Sequence, residues 1–82
     1  MENYMQNKVL KILKDIRPDI DFENETGLIT NGILDSFDMI SILAMITEQF
    51  MIEMDVEDII VENFDSLDQI CFIIEKKKNI IR

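Results

Sequence analysis

Apolar residues recur at helical spacing in three stretches of this chain. In the first, Met5, Val9, Ile12 and Ile16 share a stripe with Leu10 and Leu13 beside it, while Lys8, Lys11 and Lys14 lie off it. That is the pattern of an amphipathic helix. Asn3, with Gln6 three residues later, is placed to cap it. Pro18 cannot continue the helix and biases Arg17 away from helical geometry, so its end is expected near Ile16. The second stretch runs from Ser36 to Phe50. Met39, Leu43, Ile46 and Phe50 form its stripe and Ile40 and Ile42 flank it. Phe37, Ser41, Ala44, Met45 and Glu48 then point roughly the other way. The third opens at Ser66, where Gln69 completes a capping box. It turns Leu67, Ile70, Ile73 and Ile74 inward, with Cys71 and Phe72 near that stripe, and closes on Lys76, Lys77 and Lys78. Cations favour a helix C-terminus.

The intervening segments have no clear period. Residues 17 to 35 hold Pro18, Asn24, Thr26, Gly27, Asn31 and Gly32, all loop formers. A loop so long is expected to pack some of Ile20, Phe22, Leu28, Ile29, Ile33 and Leu34 against the helices. Residues 51 to 65 are acidic and irregular, with a short helix expected near Val56–Ile60 and Asp55 as its cap. The 16 isoleucines favour strands by propensity, but their 3.6-residue spacing outvotes it. The expected fold is all-α: a small bundle of three main helices and one short one, with a long first loop. The chain of 82 residues has room for one such domain, and a monomer is expected.

Charge changes this picture. The total is −9, which argues against a sequence-independent nucleic-acid binder. Residues 1–17 carry a net +2 and residues 76–82 a net +4, whereas residues 18–75 hold 15 acids and no cation. Such a centre is expected to be unable to relieve its repulsion by local ion pairs. It reads either as a solvated surface that aids solubility or as a face for basic partners. The start of the chain does not read as a signal peptide and no apolar run is long enough to span a membrane, so a cytoplasmic location is expected.

Free catalytic chemistry is poorly supported. Histidine is absent, which removes His-centred triads and the commonest metal ligand. The two glycines, Gly27 and Gly32, cannot write a phosphate-binding loop. Cys71 has no histidine to activate it and reads as a buried, inert thiol. A calcium loop started at Asp19 places Asn24 where glycine is required and Thr30 where glutamate is, so no metal site is expected. Ser36 remains. It stands where the long loop meets the second helix, and it either caps that helix or offers its hydroxyl in the positive field of the helix terminus. A phosphate ester there would be electrostatically favoured.

The segment Gly32-Ile33-Leu34-Asp35-Ser36-Phe37-Asp38, followed by the helix to Phe50, resembles the attachment site of acyl and peptidyl carrier proteins. The resemblance continues through Ile52-Glu53, Val56-Glu57-Asp58-Ile59-Ile60 and Glu62-Asn63-Phe64-Asp65-Ser66-Leu67, and so covers nearly the whole chain. In that family a serine opening the second helix of a four-helix bundle receives 4′-phosphopantetheine from coenzyme A. The tripeptide Asp65-Ser66-Leu67 matches the usual motif more literally. Only 16 residues follow Ser66, however, too few for the remaining helices, whereas 46 follow Ser36. Ser66 is also already explained as a cap. Three departures stand out: Phe37 for the usual leucine, Met51 where many relatives have glycine, and Met54-Asp55 for a proline-containing turn.

The resemblance implies a carrier, not an enzyme. Ser36 would bear the phosphopantetheine arm, whose thiol holds an acyl or aminoacyl group as a thioester. The implied partners are a phosphopantetheinyl transferase, a loading ligase and acyl-processing enzymes with basic patches. They would read Phe37, Asp38, Ser41, Ala44, Met45 and Glu48, with Asp35, Asp55, Glu57 and Asp58 nearby. The motif is as close to D-alanyl carriers and those of specialised pathways as to fatty-acid carriers. An unmodified acidic helical adaptor is the alternative of a different class.

Overall fold

The structure, a computed structural model, describes residues 4–78. It is all-helical, with α1 at Tyr4–Ile16, α2 at Ser36–Phe50, a single α-turn α3 at Val61–Phe64 and α4 at Leu67–Lys78. The expected bundle of three main helices and one short one is present. Asn3, expected to cap α1, and Arg82, part of the basic C-terminal run, lie outside the described residues.

Each long helix buries one stripe. Helix α1 contributes Met5, Val9, Ile12 and Leu13, and α4 contributes Leu67, Ile70, Ile73 and Ile74. The expected C-terminal end of α1 holds: the Arg17 N–H still reaches the Leu13 carbonyl at 2.8 Å, and Pro18 stops the ladder there. Ser66 caps α4 as expected, its Oγ accepting from the Gln69 N–H at 3.2 Å.

Helix α2 has the expected bounds but a rotated stripe. Ile42, Ile46 and Phe50 are buried, whereas Met39 and Leu43 are only partly so. Met45, expected to face outward, packs partly against the core, and Ile40 is exposed. Apolar residues surround much of this helix, so its periodicity alone does not set which way it faces. Its packing against both α1 and α4 does.

The long loop is part of the core. Ile20, Phe22, Leu28 and Leu34 are buried, and Ile29 and Ile33 pack against them. Asp65 ties this loop down. Its backbone carbonyl accepts from Leu28 N–H at 2.8 Å, and an isolated antiparallel bridge joins Thr26 to Ser66. Its carboxylate accepts from the N–H groups of Ile29 and Thr30 at 2.8 and 2.9 Å, and from Thr30 Oγ1 at 2.7 Å. Gly32, at φ 71°, supplies the left-handed step that returns the loop toward α2.

The bonds from Thr30 and Ile29 hold the Asp65 carboxyl below the usual carboxylate range. A group depressed in this way adds stability above the ordinary carboxylate range and loses it as pH falls through its lowered value. Asp65→Asn is therefore expected to lower stability at neutral pH and to weaken the acid dependence. Urea titrations followed by circular dichroism at neutral and acid pH check both. Equal losses at the two pH values would rule out this role for the charge.

After α2 the expected short helix, with Asp55 at its N-cap, is present in 3₁₀ form, and an α-turn that was not expected follows it. A short 3₁₀ turn occupies Val56–Asp58, and the α-turn lies further on, at Val61–Phe64. Met51 ends α2 in the left-handed conformation, at φ 55° and ψ 48°, with its side chain 89% exposed. The helix thus uses the usual left-handed exit without the usual glycine. That conformation costs a non-glycine residue about 1–2 kcal/mol, partly offset by the greater unfolded freedom of glycine, about 0.5–1 kcal/mol. Met51→Gly is expected to stabilise the domain by about 0.5–1 kcal/mol, raising Tm by roughly 2–8 °C. A calorimetric Tm at or below that of the parent would count against the strain.

Candidate functional site

The start of α2 is built by three charged side chains. The Asp38 N–H donates to Asp35 Oδ1 at 2.8 Å, and the Asp35 N–H donates to Asp38 Oδ2 at 3.2 Å. This is a reciprocal capping box with aspartate at both positions. Arg17, just beyond α1, donates from Nη1 to Asp38 Oδ2 at 2.6 Å and to the Ile33 carbonyl at 3.4 Å. Its Nε and Nη2 meet Asp19 at 3.0 and 2.8 Å. Together these bonds stitch the end of α1, the end of the loop and the first turn of α2.

This arrangement decides between the two readings of Ser36. The cap is Asp35, and Ser36 is the first residue of the helix. It is exposed, and among the described residues its hydroxyl makes no hydrogen bond. Phe37 beside it is 80% exposed. Ser41, Ala44 and Glu48 are exposed along the same helix, with Ile40 adding apolar surface. Met45 leaves that set because it is partly buried. The site is an accessible hydroxyl at a helix N-terminus, flanked by a carboxylate and an aromatic ring.

Half of the acids expected to form a free face are engaged in ion pairs. Asp38 is held by Arg17. Lys77, whose side chain is 10% exposed, lies 3.2 Å from Asp55 and 2.5 Å from Asp58. The centre pairs none of its acids with a cation of its own, as expected, but some are paired by cations from outside it. Their cations come from the two basic ends, far away in sequence. Lys77 holds the Asp58 carboxyl below its ordinary range, and Asp58 in turn raises the Lys77 ammonium. Arg17 likewise lowers the Asp19 carboxyl. Asp35, Glu48 and Glu57 remain exposed.

A cleft of about 570 Å³ lies at the other end of α2, lined by Phe50, Met51, Ile52, Glu53, Asp55, Lys77 and Lys78. Lys8 and Lys78 approach the Phe50 ring there, at 5.1 and 5.8 Å from its centroid. Ser36 stands about 21 Å away along the helix. Cys71 is half-buried, and burial, with Asp68 and Glu75 nearby, pushes its thiol up to about 11, so it stays protonated near neutrality. No group of three or more potential metal-ligating side chains is present among the described residues. No helix among them is long and apolar enough to cross a membrane.

The two ion-pair clusters were missed in the sequence because their partners are 21, 22 and 19 residues apart. The Asp35-x-x-Asp38 box was a local signal, the aspartate form of the pattern found at Ser66. In comparison with known proteins, the chain matches no protein-family model and no curated protein.

Proposed function

We propose that the chain is a carrier, with Ser36 Oγ as the acceptor of a 4′-phosphopantetheine group from coenzyme A: the Oγ–P bond forms as the pyrophosphate bond breaks, and adenosine 3′,5′-bisphosphate and the hydroxyl proton leave. The observation that carries this reading is the division of labour at the start of α2. Asp35 caps the helix, so the adjacent serine is exposed and its hydroxyl has no structural task. A phosphodiester on that oxygen sits in the positive field of a four-turn helix, next to N–H groups that lack helical partners. The arm supplies a thiol nucleophile that a chain without histidine and with a protonated Cys71 does not provide. An acyl or aminoacyl group, D-alanyl among them, rides on that thiol as a thioester in the cytoplasm.

The partners are a phosphopantetheinyl transferase, a loading ligase and acyl-processing enzymes. Their basic patches meet the exposed carboxylates Asp35, Glu48 and Glu57, and Phe37 supplies an apolar anchor. Glu48 is the clean residue for a charge-reversal probe of that face. Asp38 is not, because its reversal also dismantles the capping box and the Arg17 pair.

The test is incubation of the purified chain with coenzyme A, magnesium and a broad-specificity phosphopantetheinyl transferase, followed by intact mass measurement. Gain of one phosphopantetheine group is expected. An unchanged mass would overturn the carrier reading and favour an unmodified acidic adaptor.

A further inference from the structure

The connection between α2 and α4 is anchored at both ends and hardly between them. Phe50 and Phe64 are buried, but no residue from 51 to 63 is. Val56, Ile59, Ile60 and Val61 are exposed, and only Ile52 and Met54 pack partly against the core. The backbone bonds of residues 55–63 are local. Asp58 N–H reaches the Asp55 carbonyl at 2.9 Å, Ile59 N–H the Val56 carbonyl at 3.1 Å, and Asn63 N–H the Ile60 carbonyl at 3.1 Å. The side-chain bonds are local too: Asp55 N–H donates to Asp58 Oδ2 at 2.9 Å, and Asn63 Nδ2 to the Asp58 carbonyl at 2.7 Å. Among the described residues, the polar link from residues 55–63 to the rest of the bundle is one ammonium, that of Lys77 on α4.

We infer that residues 51–63 form a strap, clasped shut by Lys77 and opened when a competing cation or salt takes Asp55 and Asp58 from it. The clasp and the cleft share residues, since Asp55 and Lys77 both line the cleft beside Phe50, Met51 and Ile52. Opening the strap therefore widens that cleft toward Ile52 and Met54. The neighbouring charges oppose one another. Glu53 and Glu57 are exposed acids on the strap, while Lys76 and Lys78 flank Lys77 on α4. Lys77 alone of these three lysines reaches the strap acids within ion-pair distance. A segment held by few buried contacts opens on its own, ahead of global unfolding. Here the opening free energy is set chiefly by charge. Its control is independent of whether Ser36 is modified.

Amide hydrogen exchange by NMR on the full chain tests this. Charge-assisted hydrogen bonds are among the stronger polar contacts, so in Lys77→Met the Asp58, Ile59 and Asn63 amides are expected to exchange roughly tenfold faster. The Leu28 amide and those of α1 should be unchanged, and Lys77→Arg should restore protection. In the unmodified chain, raising NaCl from about 0.05 to 1 M should speed the strap amides relative to α1, as screening shortens the Debye length. In Lys77→Met the same salt step should add nothing. Unchanged strap exchange in Lys77→Met would overturn the clasp. If that variant loses its fold altogether, the salt series on the parent chain decides: strap and α1 amides that respond alike overturn the proposal.

Discussion

Phe22→Ala is expected to remove a large share of the stability of this domain, although the residue lies in a loop. Its ring is 1% exposed, inside a cluster that includes Leu28, Leu34 and Phe64 as well as the helix stripes. Truncating a buried phenylalanine costs about 3–5 kcal/mol, the lost transfer energy plus the cavity left behind. A domain of this size has roughly 4–12 kcal/mol in total. The variant should be partly unfolded in dilute urea and melt far below the parent. Phe37→Ala is the control, since that ring is 80% exposed and its loss should change stability by no more than about 0.5 kcal/mol. Equilibrium urea unfolding of both variants gives the comparison. A Phe22 variant within about 1 kcal/mol of the parent would mean that the loop lies over the core without belonging to it.

Loading at Ser36 carries the second large effect. Ser36→Ala is expected to abolish transfer of phosphopantetheine while leaving the fold intact, because Asp35 and Asp38 still close the first turn of α2. Ser66→Ala should behave in the opposite way. It removes the acceptor for the Gln69 N–H, costing about 0.5–2 kcal/mol, and leaves loading untouched. Mass spectrometry of the loading reaction and thermal melts of the same two variants separate the roles. Loading that survives at position 36 and disappears at position 66 would transfer the proposed function to the other serine.

These two serines show what was legible in the sequence. Ser66 declares its role locally, through Gln69 three residues on and an apolar stripe beyond it. Local signals of this kind located α1, α2 and α4. Helix α3 was not found because four residues cannot display a 3.6-residue period. The facing of α2 was misread because apolar residues on several sides leave its orientation to its neighbours. The grip of Asp65 on Ile29 and Thr30 spans 35 and 36 residues, and nothing near Asp65 announces it. Long-range charge pairing was hidden for the same reason. Counting charges showed the basic ends and the acidic centre but not that Arg17 and Lys77 reach into it. The candidate hydroxyl and the Asp35-x-x-Asp38 box that frees it from capping are both local patterns, whereas the Arg17 tie that holds the box in place emerges only in three dimensions.

The clasp also imposes an order on biosynthesis. A ribosome releases Asp55 and Asp58 well before Lys77, at a pace of roughly 5–20 residues per second. During that interval Phe22, Leu28 and Leu34 still lack α4, whose Leu67, Ile70 and Ile74 complete their cluster, and Asp65 has only just emerged to fasten the loop. The nascent centre is then a string of carboxylates with few counter-charges, which repel one another and keep its apolar side chains apart. The carboxylates of Asp55 and Asp58 thus emerge before the one ammonium, on the α4 helix, that pairs with both.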